Sequence, residues 1–361
     1  MKTQFNITDW IKQKLDDEKD TIDKIKNKLI AGWEDIKLQL AEMKDDSHHM
    51  VPIINGLLGD NMAEKGSNAL VNLSFRYKSR DIEVDDLNKY YNFSEYDGKI
   101  ILFIHGLMND ESIWQSDFTD SKKRLGTALD VQDDAICLYI RYNTGLHISE
   151  NGRAVNNLLQ QFVEKYSNEV RELVIISHSM GGLVTRSAGY YADIQRQKWI
   201  GLLKKVFLIG VPNEGSYLAR VAYLTQYFFR KIDITQNDSI AKFFDIRSNG
   251  IKDLSFGYLV DEDWQNAEDG KIRNVNVTLV TPLPKVKYYL IAGTVLDEQG
   301  RGRIFTFFGD GLVEKESALS RLFKNNSLKS GKVEMKLFKG ENHLTLLESK
   351  KVHEYVLSCL K

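Results

Sequence analysis

Ser179 stands at the junction of a strand pattern and a helix pattern. The apolar run from Leu173 to Ile176 is typical of a buried strand, and helix-length sequence begins directly after the serine. A turn this tight lifts the Ser179 hydroxyl above the end of the strand. The first amides of the following helix have no partner within that helix and can donate to an oxyanion. We therefore predict that Ser179 is the nucleophile of an acyl-transfer reaction and that the Met180 amide is one oxyanion donor.

The positions two residues before and after Ser179 must be small, because the strand and the helix pass close together there. Gly181 fills the second position, whereas Ser177 stands where the common Gly-x-Ser-x-Gly pattern has glycine. Serine is small enough for this position. On this motif alone, a chance strand–turn–helix connection that carries a serine stays open as the alternative.

A second motif, His105-Gly106, directly follows the apolar run from Ile100 to Ile104. An upstream strand followed by such a loop is where an α/β sheet enzyme places its other oxyanion donor, and we predict that this donor is the Leu107 amide. Gly106 permits backbone geometry that a side chain would block. His105 is predicted to shape the loop rather than to transfer protons.

A nucleophilic serine needs a base that accepts its proton. Of the seven histidines in the chain, only His343 and His353 follow the serine with room for an acid between them. His343 lies in a loop directly after the apolar run from Val333 to Phe338, whereas His353 lies in a helical pattern that ends the chain. His343 is therefore the predicted base.

The base in turn needs an acid that orients it. Asp310 lies between two glycines in a loop before the His343 strand, and we predict that it is this acid. Asp297 and Glu341 also fall in late loops and are the alternatives. Most aspartates are solvated surface groups, so the prediction for Asp310 depends on the other motifs.

Short apolar runs alternate with helix-length segments through most of the chain. The predicted strands are Ile100–Ile104, Ala135–Ile140, Leu173–Ile176, Val206–Ile209, Tyr288–Ala292 and Val333–Phe338. Helical segments such as Ser149–Tyr166 and Gly182–Ala192 lie between them. This alternation predicts a mainly parallel central sheet with helices on both faces.

Residues 216–274 interrupt the alternation, because no convincing strand occurs there. The segment begins with apolar and aromatic sequence that includes Leu218 and continues to Phe229. We predict a helical insertion that acts as a lid or as a wall of an acyl pocket. An ordinary helical decoration of the fold is the alternative.

The first 68 residues are predicted to form an N-terminal helical extension, and residues 69–361 the main domain. From about Thr8 to Met43, apolar residues recur at steps of three and four, which is typical of an amphipathic helix. This helix could pack on its own domain, form a homo-oligomer or contact a membrane surface. Its charges nearly cancel, so the strongly basic face of a membrane-surface helix is missing.

The composition is that of an ordinary globular protein, with 49 basic residues, 50 acidic residues and a net charge of −1. This balance gives no electrostatic reason to expect a nucleic-acid partner. The two cysteines, Cys137 and Cys359, form neither a disulfide framework nor a metal-ligand spacing. No secretory core and no run of ~18 apolar residues occur, so the predicted location is cytoplasmic, with export by a route that needs no signal peptide as the alternative.

Taken together, the motifs resemble the α/β-hydrolase superfamily, within it the bacterial lipases and esterases, and more narrowly the lipase-like group that includes the GPI-inositol deacylases. The matching stretches are His105–Met108, Ser177–Val184, Gly210–Ser216, Gly309–Val313 and Asn342–His343. A further stretch, Arg141–Gly145 continued by Ile148–Gly152, resembles a segment of related bacterial hydrolases. Val211–Glu214 departs from the more common Thr-Pro-His-Arg, so the substrate preference of relatives does not transfer to this chain.

The resemblance implies an α/β-hydrolase fold and a serine esterase or lipase that acts on a small-molecule or lipid ester. The chemistry requires no metal and no organic cofactor. Beyond the triad and the oxyanion donors, the predicted substrate-binding residues are His105, Gly106, Met108, His178 and Leu218. An acyltransferase or thioesterase with the same triad is one alternative, and a non-catalytic binding protein on the same fold is another.

Overall fold

A computed structural model gives the structure of the chain and describes residues 50–66, 70–116, 123–130, 134–212, 248–265, 277–296, 302–303 and 333–361. The strands are β1 (Ser74–Tyr77), β2 (Arg80–Ile82), β3 (Lys99–Ile104), β4 (Ile136–Arg141), β5 (Glu172–His178), β6 (Leu203–Ile209), β7 (Lys287–Leu296), β8 (Gly302–Arg303) and β9 (Val333–Lys339). The α-helices are α1 (Met50–Glu64), α2 (Leu125–Asp130), α3 (Ile148–Lys165), α4 (Met180–Gln195), α5 (Trp199–Leu202), α6 (Asn249–Phe256), α7 (Asp261–Gln265) and α8 (Lys350–Leu360). Short 3-10 helices span Val84–Lys89, Glu95–Gly98, Glu111–Trp114 and Thr345–Leu347.

The strands form a mostly parallel sheet in the order β2-β1-β4-β3-β5-β6-β7-β9. Strands β4, β3, β5, β6, β7 and β9 run parallel to one another, and each of them coincides with a strand predicted from the sequence. The antiparallel pair β1 and β2 extends one edge, and β8 pairs with the far end of β7. The chain leaves β3 for β4 on one side and then crosses to β5 on the other. Ligand sites in open α/β sheets lie at the carboxyl ends of strands where the order reverses in this way.

Both faces of the sheet are covered, as the apolar strand runs predict. Along β3, Ile100, Leu102 and Ile104 pack into a core cluster shared with α1, α3 and α4. The alternate residues Ile101 and Phe103 pack into a second cluster shared with α2 and α8. This layering, the strand order and the strand–turn–helix connection at Ser179 establish an α/β-hydrolase fold and confirm the predicted fold class.

Helix α1 lies in a glycine-containing stretch that has no clear periodicity in the sequence. Its apolar residues Ile53, Leu57 and Met62 are all buried in the core cluster that also includes residues of α3 and α4. A helix buried on nearly every side lacks the polar face that produces a helical period, which explains why the sequence does not reveal it. The predicted amphipathic helix over residues 8–43 lies outside the described residues.

The predicted insertion is described only over residues 248–265, which form α6 and α7 and contain no strand. Leu218 and the rest of the aromatic segment lie outside the described residues. The start of α6 packs on the loop that follows β4, where the Gly250 amide donates to the Gly145 carbonyl at 3.0 Å. Within the described ranges, no helix is both long and apolar enough to cross a membrane.

Candidate active site

Ser179 occupies a strained turn between β5 and α4. Its backbone angles are φ 52° and ψ −127°, which a residue with a side chain rarely adopts. Strain of this kind costs about 1–3 kcal/mol and persists only where the surroundings impose it. The Ser179 amide donates to the Ile209 carbonyl at 3.0 Å, and the Gly182 amide donates to the Ser179 carbonyl at 3.0 Å. The turn is therefore fixed to the end of β6 and to the first turn of α4, as a nucleophile turn requires.

The small residues that flank Ser179 lie at close backbone contacts. A side chain at Gly181 would collide with the carbonyl oxygens of Ile104 and His105 at the end of β3. Ser177 is fully buried, and its hydroxyl donates to the Phe207 carbonyl of β6 at 3.1 Å. The serine that replaces the usual glycine therefore fits, because a neighbouring strand accepts its hydrogen bond.

The loop after β3 (residues 105–111, called the β3 loop) reaches Ser179 through Gly106. A Cβ atom at Gly106 would lie 2.9 Å from the Cβ of Ser179, so the two backbones are in direct contact. Leu107 and Met108 are both buried beside this contact. The structure thus brings together Ser179 and the predicted loop that carries the Leu107 amide.

His105 supports the β3 loop as a neutral imidazole. The Tyr142 amide donates to His105 Nε2 at 3.3 Å, so the ring proton lies on Nδ1, which donates to the Gly106 carbonyl at 3.0 Å. The ring also stacks on Tyr142, with a centroid distance of 4.3 Å. Burial lowers the pKa of His105 to about 4, so the ring is uncharged at neutral pH. These contacts give His105 a loop-shaping position, while its predicted contact with substrate stays a prediction.

The amides of Leu107 and Met180 are the two predicted oxyanion donors, and that role stays a prediction. Met180 is the first residue of α4, so its amide has no acceptor within the helix. The Leu107 amide belongs to the Gly106–Leu107 peptide, whose carbonyl accepts hydrogen bonds from His105 Nδ1 at 3.0 Å and from the Asn109 amide at 3.3 Å. Because the carbonyl and the amide of a trans peptide point in opposite directions, fixing the carbonyl fixes the direction of the Leu107 N–H.

His343 lies at the same edge of the sheet, in the loop that follows β9. Gly210, which follows β6, has φ 60°, and a Cβ atom there would lie 2.8 Å from His343 Nδ1. Glycine at this position therefore leaves the space that the imidazole ring occupies. Burial, together with the neighbouring His178 ring, holds the pKa of His343 well below its usual range. A neutral imidazole in this position is able to accept a proton.

His178 fills the space beneath His343. Its ring centroid lies 4.4 Å from that of His343, and its Nε2 donates to the His343 carbonyl at 3.0 Å. The His178 ring also meets Trp114 edge-on, with a centroid distance of 6.4 Å. Burial lowers the pKa of His178 to about 4. The contacts described for His178 thus support the His343 backbone, and its predicted role in substrate binding stays a prediction.

The predicted acid Asp310 and its alternative Asp297 lie outside the described residues. The other alternative, Glu341, is described, and its carboxylate accepts a hydrogen bond from the Ser349 hydroxyl at 2.6 Å, just before α8. His353, the alternative base, lies within α8 and uses its Nε2 to bind the Leu347 carbonyl at 2.8 Å. Both alternatives therefore have local partners around α8.

An ion-pair network that the sequence analysis did not predict secures the far end of the β3 loop. Glu111 accepts from Arg76 Nε at 2.9 Å and from Arg141 Nε at 2.7 Å, and the Arg141 guanidinium also reaches Asp110 at 3.1 Å. Arg76 also pairs with Asp81. The only signal in the sequence was that Arg141 begins the stretch that resembles related hydrolases.

A histidine–aspartate pair joins the insertion to the body of the fold. His147 Nδ1 lies 2.9 Å from the Asp253 carboxylate, which also accepts from the Ile148 amide at 2.8 Å. The His147 ring stacks on Trp264 at a centroid distance of 3.9 Å. Burial raises the pKa of Asp253, while the His147 hydrogen bond opposes that shift. These contacts anchor α6 and α7 to the start of α3.

Histidine side chains are therefore frequent around the site, yet the described ranges contain no group of three or more His, Cys, Asp or Glu side chains that could hold a metal ion.

Residues 75–247 match a family described as a domain of unknown function, DUF7379. A comparison with curated proteins found none that matches the sequence. Similar solved structures include the mature lipase BlEst2 of Bacillus licheniformis, at 16% identity over 76% of this chain and 95% of that chain, with a TM-score of 0.45. A thermophilic esterase from Thermogutta terrifontis is 12% identical over 73% and 89% of the two chains (TM-score 0.40), and the RedJ thioesterase of Streptomyces coelicolor is 10% identical over 72% and 88% (TM-score 0.41). At these identities the likeness concerns the fold, which the strand order and the Ser179 turn already define.

Proposed function

We propose that this chain is a serine hydrolase of carboxylic esters, with Ser179 as nucleophile, His343 as general base and Asp310 as the acid that orients it. The observation that carries the proposal is the strained Ser179 turn at the carboxyl end of β5. It lies in one cluster with Gly106, His178, Gly210 and His343, which come from separate parts of the chain.

In the proposed reaction, Ser179 Oγ attacks the ester carbonyl carbon while His343 accepts the hydroxyl proton. The carbonyl oxygen becomes an oxyanion, which the Leu107 and Met180 amides stabilise. Collapse of the tetrahedral intermediate breaks the bond to the alcohol, which leaves with the proton from His343. Water then attacks the acyl-enzyme while His343 again accepts a proton, and the carboxylic acid departs as Ser179 Oγ takes that proton back from His343. Asp310 keeps the imidazolium ring of His343 in its orientation and stabilises its positive charge during both steps.

The geometry of the β3 loop supports this assignment of the oxyanion donors. Such donors contribute most when they are aimed before the reaction begins, because no reorganisation is then needed. The Leu107 amide meets this condition, since the carbonyl of the same peptide is held by His105 and Asn109. The Met180 amide is fixed by the helix that it begins.

Replacing the nucleophile tests the proposal directly. Ser179→Ala should lower the rate of p-nitrophenyl butyrate hydrolysis by about 10⁶-fold. A fluorophosphonate probe should label the wild-type chain and leave the variant unlabelled. Ser255→Ala is a matched control, because that hydroxyl donates only to the Ile251 carbonyl within α6 at 2.8 Å. Substantial hydrolysis by Ser179→Ala would contradict the assignment.

The ester itself is identified by a substrate series. Acyl chains from acetate to palmitate, each assayed with and without an emulsion, separate an esterase from a lipase. An acyl thioester assayed beside the matching oxygen ester separates hydrolysis of the two classes. We expect turnover of oxygen esters that depends on Ser179 in every case.

A further inference from the structure

Residues 141–144, the last residue of β4 and the three that follow it, contact the β3 loop at three points. Because β3 and β4 are parallel neighbours, their carboxyl ends meet at one edge of the sheet. Arg141 pairs with Asp110 and Glu111, the Tyr142 hydroxyl donates to the His105 carbonyl at 2.8 Å, and Thr144 Oγ1 accepts from the Met108 amide at 3.2 Å. These contacts give a structural reason for part of the resembling stretch that the catalytic roles do not explain.

The contact of Thr144 is the one nearest to the proposed oxyanion donor. Met108 has φ 55°, in the left-handed region that a side chain disfavours, so its conformation depends on its surroundings. The Leu107–Met108 peptide is held at both ends, because its amide donates to Thr144 Oγ1 and its carbonyl accepts from Asn109 Nδ2 at 2.9 Å. Leu107 therefore lies between two fixed peptides.

Thr144 is itself fixed from the opposite side. It is 1% exposed, and a Cβ atom added to Gly56 of α1 would lie 3.0 Å from its Oγ1 and 2.5 Å from Met108 Cγ. Helix α1 thus closes over both partners of this hydrogen bond. The Thr144 hydroxyl has little room to reorient, so it holds the Met108 amide in one direction.

We propose that Thr144 is a positioning residue that holds the Leu107 amide in the direction of the oxyanion through its hydrogen bond to Met108. This inference rests on the proposed function of Ser179 and the β3 loop. Without the hydroxyl, Met108 relaxes toward negative φ, and the neighbouring peptide that carries the Leu107 N–H rotates with it. Oxyanion stabilisation then weakens, whereas substrate binding in the ground state does not.

Thr144→Val removes the hydroxyl and keeps the shape of the side chain. We expect kcat for p-nitrophenyl butyrate to fall by about 10-fold or more, with KM within twofold of the wild-type value, because the lost interaction forms in the transition state. Affinity for phenylboronic acid, which forms a tetrahedral adduct with a serine hydroxyl, should fall by a similar factor. Thr144→Ser should restore both values.

Thr127→Val is the matched control. Thr127 is also buried, and its hydroxyl likewise accepts from a backbone amide, that of Ser116 at 2.8 Å, but on α2. The Thr127→Val variant should lose thermal stability much as Thr144→Val does, but its kcat and its affinity for phenylboronic acid should stay at the wild-type values. The positioning role is overturned if kcat of Thr144→Val stays within twofold of wild type, or if its whole loss lies in KM.

If Thr144→Val does not fold, Thr144→Cys and Thr144→Ser replace it, because they differ mainly in the strength of the hydrogen-bonding group. Cysteine should then lower kcat at least fivefold relative to serine, and equal values would overturn the inference. Wild type and Ser179→Ala are measured in the same assay. Absence of turnover that depends on Ser179 would count against the proposed function, whereas wild-type turnover with unaffected Thr144 variants would count against the positioning role alone.

Discussion

The β3 loop and the loop that carries His343 (residues 340–347, called the histidine loop) lie at the same edge of the sheet but are held in different ways. The β3 loop is buried and is bonded to residues distant in sequence, among them Arg76, Tyr142 and Thr144. The histidine loop is held mainly by its own turn, in which exposed Asn342 accepts through Oδ1 from the amides of Leu344 and Thr345, both at 2.9 Å.

The difference corresponds to the two tasks in the proposed mechanism. Groups that stabilise an oxyanion act best when their direction is fixed in advance, which long-range contacts from several elements provide. A base must accept a proton from one oxygen and deliver it to another, so its ring needs some freedom to adjust. The hydrogen bond from His178 to the His343 carbonyl fixes the backbone of the histidine loop beside the proposed base.

The largest effect should come from acid, because buried neutral histidines lie on both sides of the comparison. His105 supports the β3 loop and His178 the histidine loop, and burial lowers the pKa of each to about 4. The unfolded chain therefore binds more protons than the folded chain below pH 6.5, so stability is constant above that pH and falls as the pH drops toward 4. Each of these two histidines should lower the free energy of unfolding by about 2 kcal/mol at pH 5 relative to pH 8.

Urea unfolding at pH 8 and pH 5 measures this loss, and histidine NMR titration identifies the groups. His105→Asn should remove about half of the change that the two histidines cause together. If the free energy of unfolding were the same at both pH values, the two rings would not be the buried neutral groups that the structure describes.

The next largest effect should come from the ion pairs that hold the β3 loop. Glu111→Gln removes the buried carboxylate charge that Arg76 and Arg141 share, which leaves Arg76 paired with Asp81 and Arg141 with Asp110. Breaking a buried ion pair in this way should lower the free energy of unfolding by about 3 kcal/mol. Equilibrium urea denaturation measures the difference.

The control is an ion pair of the same chemistry at the surface. Asp86 and Lys89 lie 2.8 Å apart, with their side chains 48% and 63% exposed. Asp86→Asn should change the free energy of unfolding by less than about 0.5 kcal/mol. A similar small change in Glu111→Gln would mean that the network does not hold the β3 loop.

The smallest effect should come from the histidine loop. Asn342→Ala removes one side chain that accepts two backbone amides, which should cost about 1 kcal/mol of stability, as for the loss of a helix cap. Since the base then samples more orientations, kcat should fall by no more than about tenfold. Asn92→Ala is the control, because its Oδ1 accepts from the Ser94 amide at 3.3 Å in a loop away from the site. If Asn342→Ala lost more activity than Thr144→Val, the histidine loop rather than the β3 loop would be the one whose fixed direction matters more.

The parallel strands and the Ser179 turn could be predicted because their signals are local. A buried strand appears as a short apolar run, and the six parallel strands β3, β4, β5, β6, β7 and β9 all coincide with such runs. The antiparallel strands β1 and β2 are only four and three residues long and have no continuous apolar run, so the sequence does not predict them.

The contacts that orient the site could not be predicted because they join residues far apart in the chain. The hydrogen bond from Met108 to Thr144 and the bonds from Arg76 and Arg141 to Glu111 depend on the order of β1, β4 and β3 in the sheet. The sequence alone names charged residues and hydroxyls, but which of them meet is decided by strand order. Asp310 and Leu218 lie outside the described residues and stay predictions.

Ser177 has a practical consequence for finding related chains. Its hydroxyl is bound to the Phe207 carbonyl and its side chain is fully buried, so the Ser179 turn forms without glycine at this position. A motif search that demands glycine two residues before the serine would pass over this chain and over others with the same substitution. Allowing serine there, and requiring a neighbouring strand whose backbone oxygen can receive its hydroxyl, would recover them.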